Sequence, residues 1–285
     1  MGCFKFCLVF IPTVLSFAAF ILTILAAAGS TKNNLFSTSV FLLKLDCKDA
    51  TLSSITTGLT SADITLKQAG LSEVYTFGMW GYCEGNYYSN VDSTGYIYDD
   101  DDIKMTYCSK PKALYKFDLA DFFSDRLKEA GYQIDPSDIA VPDGIISYTT
   151  TSTNVSKMVF ITCLLAIIIC FFVLVLGLLG IWCNSKVLFL VAFLSMGGFL
   201  LALLSAAGAT GMYGYIKSKF NDHSDIYHIK ASLSNIYLAL AWVGTVCYML
   251  NVFFWFLNSC VFGIGSTRTR ARIVHEPIAE FREKV

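Results

Sequence analysis

Long apolar stretches without any Asp, Glu, Lys or Arg dominate the pattern of this chain. Their apolar cores cover roughly residues 7–28, 158–182, 187–213 and 233–262. A helix needs about 20 residues to cross the hydrocarbon layer of a bilayer, and each core is long enough. Because that layer holds no water, a spanning backbone must satisfy its own hydrogen bonds, which requires helices here. The pattern therefore predicts four transmembrane helices.

The segments between these cores give the organisation of the chain. We assign the spans to residues 7–29, 157–183, 187–213 and 233–262, which leave an N-terminal segment 1–6, a large loop 30–156, a turn 184–186, a second loop 214–232 and a tail 263–285. Short connections favour an up-and-down four-helix bundle. The small residues that end the first span also fit a signal-peptide cleavage site, although its uncharged run exceeds the usual apolar region of about 7–15 residues. With or without cleavage, the large loop emerges on the same side.

Lys and Arg near the span ends predict the orientation. Lys5, Lys186 and the basic residues of the tail belong to one side, whereas the short second loop carries only Lys217, Lys219 and Lys230. Short segments with more Lys and Arg stay in the cytoplasm. We therefore expect both termini in the cytoplasm and both loops outside. The net charge of −1 averages an acidic large loop and a basic tail.

Residues 30–156 carry the patterns of a small α+β domain. Residues 41–46, 63–68 and 103–108 alternate apolar and polar positions, as strands with one buried face do. A helix follows, with Asp118 as its N-cap and Gly131 at its end. We expect an antiparallel sheet covered by this one helix. The buried faces would consist of Phe41, Leu43 and Leu45; Ile64 and Leu66; Ile103, Met105 and Tyr107; and, on the helix, Leu119, Phe122, Phe123, Leu127 and Ala130.

The cysteines divide by compartment. Cys47, Cys83 and Cys108 lie in the large loop, on the oxidising side, where three cysteines allow one bridge and leave one over. We pair Cys83 with Cys108, because both end strand-like segments that flank a polar loop. Closure of a loop of this length would stabilise the domain by roughly 3–4 kcal/mol. Cys47 is then a buried small residue, a free thiol or an intermolecular partner.

The decapeptide TFGMWGYCEG, residues 76–85, surrounds the first cysteine of this pair. It interleaves Gly78, Gly81 and Gly85 with Trp80, Tyr82 and Cys83. The glycines allow a positive φ or the close approach of another backbone, so that the chain can bulge and turn around the cysteine. One of the two rings can close the apolar side of the sheet, where the sheet meets the membrane. We interpret the stretch as a packing motif without a ligand.

Two motifs resemble those of a known family. The stretch FGMWGYCEG resembles the Gly-Leu-Trp-x-x-Cys motif of claudin-type four-span proteins. It is more similar to the Gly-x-Trp-Gly-Tyr-Cys stretch of the fungal Sur-seven/PalI family, whose positions are Gly78, Trp80, Gly81, Tyr82 and Cys83 here. The later CSKPKALYKFD resembles that family's Cys-x-x-Pro…Phe-Asp segment through Cys108, Pro111, Phe117 and Asp118. The extra Cys47 and the short tail depart from the family's pattern.

The resemblance implies a claudin-like fold, with a four-helix transmembrane bundle and a small α+β extracellular domain. It also implies a fungal plasma-membrane protein. Members of the Sur-seven branch sit in stable cortical furrows, the eisosome-associated compartment, and affect cell-wall assembly, spore-wall formation and endocytosis. Members of the PalI branch instead assist an ambient-pH sensing receptor. Neither branch is known to be enzymatic.

The sequence itself shows no motif of an enzyme or a cofactor site. We find no metal-ligand cluster, nucleophile motif or Gly-rich phosphate loop, and the apolar cores carry no ionisable groups for transport. The segment NDHSDIYH, with His223 and His228, is a solvated loop or a site for a cation or mild acid. The run Asp99–Asp102 is a solvated turn, or it binds calcium or wall material. We expect no enzyme, no cofactor and no nucleic-acid partner.

Other residues are candidates for contact with lipids or with other membrane proteins. Cys3 and Cys7 lie where palmitoylation occurs. Arg268, Arg270 and Arg272 follow the last span, as a topology signal or as a contact for anionic lipid. Small residues four apart, Ser205 with Ala209 and Ala207 with Gly211, permit close helix packing within the bundle or between copies. We therefore expect membrane lipids, cortical-patch membrane proteins, further copies of the chain and wall material as partners.

Overall fold

The computed structural model describes the backbone of residues 2–31, 38–57, 64–87, 90–91, 97–98, 103–115, 117–140, 149–180 and 185–282. It describes the side chains of residues 9–31, 38–57, 64–87, 103–115, 117–140, 152–179 and 187–260. The helices are α1 (Gly2–Ala27), α2 (Leu52–Ile55), α3 (Leu119–Glu129), α4 (Thr149–Gly180), α5 (Ser185–Asp222), α6 (Ser224–Tyr227) and α7 (Asn235–Arg282), and Pro136–Asp138 forms a 3₁₀ turn. The strands are β1 (Leu43–Asp46), β2 (Val74–Phe77), β3 (Tyr82–Tyr87), β4 (Asn90–Val91), β5 (Ile97–Tyr98), β6 (Ile103–Cys108) and β7 (Lys230–Ser232).

The long helices confirm the four predicted spans. Stretches apolar and long enough to cross a membrane run over Val9–Ala27, Ser152–Leu179, Val187–Asp222 and Asn235–Cys260. Helix α4 begins at Thr149, inside the Ser/Thr-rich segment that precedes the second apolar core. Strands β1, β2, β3 and β6 of the antiparallel sheet and the covering helix lie between the first and second spans, consistent with the expected claudin-like architecture.

One compact unit of the chain, which we call the helical unit, comprises Met1–Thr23, Leu164–Leu203 and Trp242–Val285. Its packing centres on the fully buried Trp255, against which Val173 and Val191 pack. A second cluster surrounds Tyr248, whose hydroxyl donates to the carbonyl oxygen of Ala166 at 3.0 Å. Aromatic side chains thus fill the interior of this unit and satisfy part of its polar groups.

The second compact unit, which we call the sheet unit, comprises Ile24–Cys163 and Leu204–Ala241. Its main sheet is antiparallel with the strand order β6-β3-β2-β1-β7, and β4 pairs with β5 separately. Strand β7 comes from the second loop, so both loops build one sheet. Asn221, near the end of α5, extends this edge, because its side chain accepts from the backbone N–H of Ala231 and donates to the Ala231 carbonyl oxygen.

Helix α3 covers one face of the main sheet, as predicted. Asp118 caps it by accepting from the backbone N–H of Asp121 at 3.3 Å, and Gly131 follows its end with a φ of +97°. Phe122 packs edge-on against Tyr75 of β2, with ring centroids 5.3 Å apart. The predicted stripe Leu119, Phe122, Phe123 and Leu127 is buried, whereas Ala130 is exposed because it lies at the C-cap.

The prediction of a strand over residues 63–68 is wrong. The described part of this segment makes one isolated bridge at Thr65 and then turns up to Gly70, which has a φ of +86°. The Thr65 hydroxyl accepts from the Gln68 backbone N–H, and the Gln68 side chain accepts from the Thr65 backbone N–H. These local hydrogen bonds compete with a sheet ladder, and here they replace it.

The strand predicted over residues 103–108 is present as β6, but its side chains do not share one face. The register shifts between Glu84 and Gly85, which face Tyr107 and Met105 respectively. Thr106 is therefore the extra residue of a bulge, which turns Tyr107 to the other face and leaves it 47% exposed.

The disulfide between β3 and β6 gives the first testable prediction. Changing Cys83 and Cys108 together to Ser should lower the stability of the sheet unit by roughly 3–4 kcal/mol, because the closed loop spans 25 positions. Protease resistance of the large loop in rising urea measures this loss. Cys260→Ser, at an exposed cysteine of the last span, is the control and should change nothing. Equal resistance of the double variant and the native chain would contradict the prediction.

Candidate functional site

The candidate site is the family-type motif around Cys83. Cys83 and Cys108 face each other directly on β3 and β6 and form the predicted disulfide. Cys83 is fully buried on the side of the sheet opposite α3. Cys47 is buried and unbridged, and its burial raises the pKa of its thiol. The structure thus favours the interpretation of Cys47 as a buried small residue.

Trp80 joins the sheet to two long helices. It lies in the turn between β2 and β3, which closes where the Gly78 backbone N–H donates to the Gly81 carbonyl oxygen at 2.8 Å. The Trp80 indole N–H donates to the carbonyl oxygen of Ala27, the last residue of α1, at 2.8 Å. Its ring stands edge-on to Phe160 of α4, with centroids 4.8 Å apart. The tryptophan therefore satisfies a helix-end carbonyl and contacts a second helix at once.

The motif glycines serve close approach and not a positive φ. A Cβ at Gly78 would lie 2.6 Å from the carbonyl oxygen of Gly29 and 2.7 Å from the Cβ of Ser30. A Cβ at Gly81 would collide with the Ser109 hydroxyl, which accepts from the Tyr82 backbone N–H. Of the two roles that the sequence allows for these glycines, a positive φ or close approach of neighbouring groups, the structure shows close approach. The glycines let the turn lie directly against its neighbours.

Tyr82 is the ring that closes the apolar side of the sheet. It packs edge-on against Phe122 of α3, with centroids 4.9 Å apart. Phe117 adds to this cluster, 5.0 Å from Phe77 of β2 and 5.3 Å from Tyr213 of α5. Phe117 and its neighbour Asp118, the cap of α3, thus place the start of α3 over the sheet.

The segment after Cys108 is tied to the tryptophan turn by its backbone. The Ser109 backbone N–H donates to the Tyr82 carbonyl oxygen at 2.9 Å, and the Lys112 backbone N–H donates to the Trp80 carbonyl oxygen at 2.8 Å. Pro111 lies between them and is exposed. The two motifs, residues 77–85 and 108–118, therefore form one packed region, which we call the joint. Their cysteines are 25 positions apart in the sequence.

A partly buried ion pair lies beside this joint. Glu84 on β3 and Arg126 on α3 approach to 3.8 Å, and the Arg126 guanidinium lies over the Tyr82 ring at 5.4 Å. Desolvation raises the pKa of the Glu84 carboxyl above its ordinary value, although Arg126 and the Ser72 hydroxyl oppose that shift. Burial also raises the pKa of Tyr82 to about 12. Both shifts follow from the burial of these side chains between β3 and α3.

The structure separates the small residues of α5 into two faces. Ser205 and Ala209 are buried, and the Ser205 hydroxyl donates to the Val159 carbonyl oxygen of α4 at 3.2 Å. Ala207 and Gly211 are exposed, and a Cβ at Gly211 would meet nothing within 4 Å. The first pair packs within the chain, whereas the second pair lies on an uncovered face.

The other candidate ligand-binding residues of the sequence, as far as the structure describes them, are not arranged to bind a ligand. His223 bonds through Nδ1 to the Lys219 carbonyl oxygen of its own helix turn. Among the residues that the structure describes, no group of three or more His, Cys, Asp or Glu side chains could hold a metal ion. The run Asp99–Asp102 lies outside the described residues, as do the side chains of Cys3, Cys7, Arg268, Arg270 and Arg272.

The fold and the joint define the class of the protein. Four apolar helices, and an antiparallel sheet with a disulfide between its strands, make it a multi-pass membrane protein of the claudin-like type. The model of the SUR7/PalI family matches residues 8–254, and the chain belongs to this family. Protein PUN1 of Saccharomyces cerevisiae (strain ATCC 204508 / S288c) is 30% identical over 255 residues, which cover 88% of this chain and 91% of that protein. No solved structure matches the chain.

A change of Trp80 tests the joint. Trp80→Phe keeps a ring beside Phe160 but removes the donor to the Ala27 carbonyl oxygen, so the chain should lose about 1–2 kcal/mol of stability. Trp80→Ala should lose more, since the ring contact goes too. The thermal midpoint of the purified chain in detergent measures both. Tyr107→Phe removes a polar group from an exposed ring and is the matched control. An effect of Trp80→Phe no larger than that of the control would refute the role of the indole N–H.

The raised pKa of Glu84 predicts a pH dependence. Since the folded pKa lies above the unfolded one, the protonated carboxyl favours folding, and its stabilising effect is complete below the unfolded pKa of about 4.3. That effect is lost as the pH rises through the folded pKa. Unfolding midpoints between about pH 4 and pH 7 should therefore fall less steeply in Glu84→Gln than in the native chain. Lys110→Gln, which removes an exposed charge of the same unit, is the control and should keep the native slope. A native slope in Glu84→Gln would contradict this assignment.

Proposed function

We propose that the protein is a non-enzymatic organiser of a plasma-membrane cortical domain of the eisosome type, which affects cell-wall or spore-wall assembly and endocytosis. The observation that carries this proposal is the SUR7/PalI match, which extends over residues 8–254 and so includes the first three apolar stretches, both loops and most of the fourth stretch. A match of this extent supports a role of the whole architecture, not of one motif.

The use of the motif residues supports a structural role. Trp80, Tyr82 and Phe117 each contact neighbouring parts of the sheet unit, and the glycines allow that packing. A side chain that makes such packing contacts is not available to bind a substrate. In the proposed protein the large loop faces the wall, both termini are cytoplasmic, and residues 30–156 act as one extracellular domain.

Two further features fit a protein that gathers in patches. Ala207 and Gly211 leave a shallow, uncovered face on α5, on which a helix of another copy or of another patch protein can lie closely. On the cytoplasmic side, Arg268, Arg270 and Arg272 would contact anionic lipid, and acylated Cys3 or Cys7 would add an anchor. Both features are proposals for how the protein is held laterally.

Localisation tests the proposed function. A fluorescent fusion of the full chain in its own cells should form puncta that recover slowly after photobleaching, because patch proteins exchange little. A uniform and mobile signal would contradict the proposal. Growth failure confined to alkaline medium, without puncta, would instead indicate a PalI-like auxiliary subunit of an ambient-pH sensing complex.

The uncovered face of α5 gives a prediction about patch formation. Changing Ala207 and Gly211 together to Leu should disperse the puncta while the chain stays inserted, because the added side chains prevent close helix approach. The change Val243→Leu with Val246→Leu, at two exposed positions of α7, is the matched control. Patch intensity and photobleaching recovery measure the effect. Unchanged patches in the first variant would exclude this face as the contact.

A further inference from the structure

The sheet unit contains a cleft that the joint does not use. It has a volume of about 540 Å³, within the usual range of ligand pockets of about 300–1,000 Å³. Its floor is the sheet face opposite α3, and its upper wall is the chain that follows α1 and the start of α7. Lining residues from the floor are Lys44, Thr76, Ile103, Met105 and Ser232, and those from the wall include Ser39, Phe41, Leu233, Ser234, Asn235 and Ile236.

The lining has one formal charge, and it is positive. Lys44 is the one ionisable side chain among the lining residues. Asp46, two positions further along β1, is engaged by the Tyr87 hydroxyl and by the Lys48 backbone N–H. In the described part of the chain no carboxylate lies within ion-pair distance of the Lys44 ammonium. A half-buried cation with no carboxylate beside it among these described residues attracts an anionic ligand.

The start of α7 adds donors at the same place. The Ser234 hydroxyl accepts from the Tyr237 backbone N–H and donates to the Ser39 carbonyl oxygen at 2.8 Å, which holds the two parts of the wall together. Asn235 and Ile236, the first residues of the helix, line the cleft. The first backbone N–H groups of a helix have no acceptor within it, so they complement Lys44 in the recognition of an anion.

Beside Lys44 and the hydroxyl and amide groups, the lining has an apolar part formed by Phe41, Ile103, Met105, Leu233 and Ile236. Asn235 begins the fourth apolar stretch, Asn235–Cys260, so the cleft adjoins the end of a stretch that can cross a membrane. Ile236 is 46% exposed, and Phe41 and Leu233 continue an apolar border next to it. A small inorganic anion would leave this border unused. A molecule with an anionic head and an apolar body fills both parts.

We propose that this cleft binds the phosphodiester headgroup of an anionic lipid, from the leaflet in which α7 begins. Lys44 and the start of α7 hold the phosphate, and the apolar border contacts the glycerol and upper acyl region. With the orientation proposed above this is the outer leaflet. The site is separate from the basic tail, and it does not depend on whether the protein organises patches.

Photo-crosslinking in a bilayer tests the proposal on the full chain. The chain is reconstituted in phosphatidylcholine nanodiscs that contain phosphatidylinositol with a photoreactive group near its head, and peptides are mapped by mass spectrometry. We expect labelling of peptides from β6 and from the start of α7. Lys44→Gln should reduce it about tenfold, the ratio that a hydrogen bond to a charged group supports, while Lys44→Arg should retain it. Ser232→Tyr should also reduce it by filling the cleft.

Controls separate this site from weaker explanations. Lys110→Gln removes an exposed charge of the same unit outside the cleft and should leave labelling unchanged. A photoreactive phosphatidylcholine should label these peptides far less, and inorganic phosphate should not compete. Native labelling in Lys44→Gln, equal loss in Lys110→Gln or equal labelling by phosphatidylcholine would overturn the proposal. Competition by inorganic phosphate as strong as by unlabelled phosphatidylinositol would show a site for a free anion and would also overturn it.

Discussion

The disulfide between Cys83 and Cys108 is the constraint on which the sheet unit depends. It links β3 and β6 at the directly paired positions Cys83 and Cys108, near the end of the sheet where both strands leave it. From that point the chain runs in one direction into the tryptophan turn and in the other through Ser109 and Lys112, whose backbone groups bond back to that turn. The bridge therefore keeps the two motifs in contact although a long loop separates them.

The joint explains why these residue types occur together. The Trp80 side chain is long enough for its indole N–H to reach the carbonyl oxygen at the end of α1, and its ring packs against Phe160 of α4. Glycine at positions 78 and 81 lets the turn come near enough for that reach, since a Cβ at either position would collide with a neighbour. The same turn delivers Tyr82 to the apolar face under α3. One short stretch thus links two long helices, the sheet and the covering helix.

Features with a local cause could be predicted from the sequence. The spans follow from uncharged apolar runs, and α3 follows from Asp118, Gly131 and a helical stripe. The disulfide follows from two cysteines at strand ends.

Features that depend on distant partners could not be predicted. Strand β7 has only three residues and exists because β1 and Asn221 pair with it. The bulge at Thr106 depends on how β6 meets β3, and the hydrogen bonds between Thr65 and Gln68 outweigh an alternating pattern. No pattern in the sequence indicates that the Trp80 indole N–H donates to the Ala27 carbonyl oxygen.

The family assignment and the joint together describe a membrane protein whose motif residues maintain the packing of the sheet unit, and we propose that its exposed faces contact lipids and other membrane proteins. The central claim is that the large loop is one oxidised unit on the outside of the cell. Non-reducing peptide mapping after labelling of intact cells with a membrane-impermeant lysine reagent tests this most directly. We expect a linked peptide pair containing Cys83 and Cys108, an unbridged Cys47, and modified lysines in the large loop. Two separate thiols at Cys83 and Cys108, or a large loop that only permeabilised cells allow to be labelled, would contradict it.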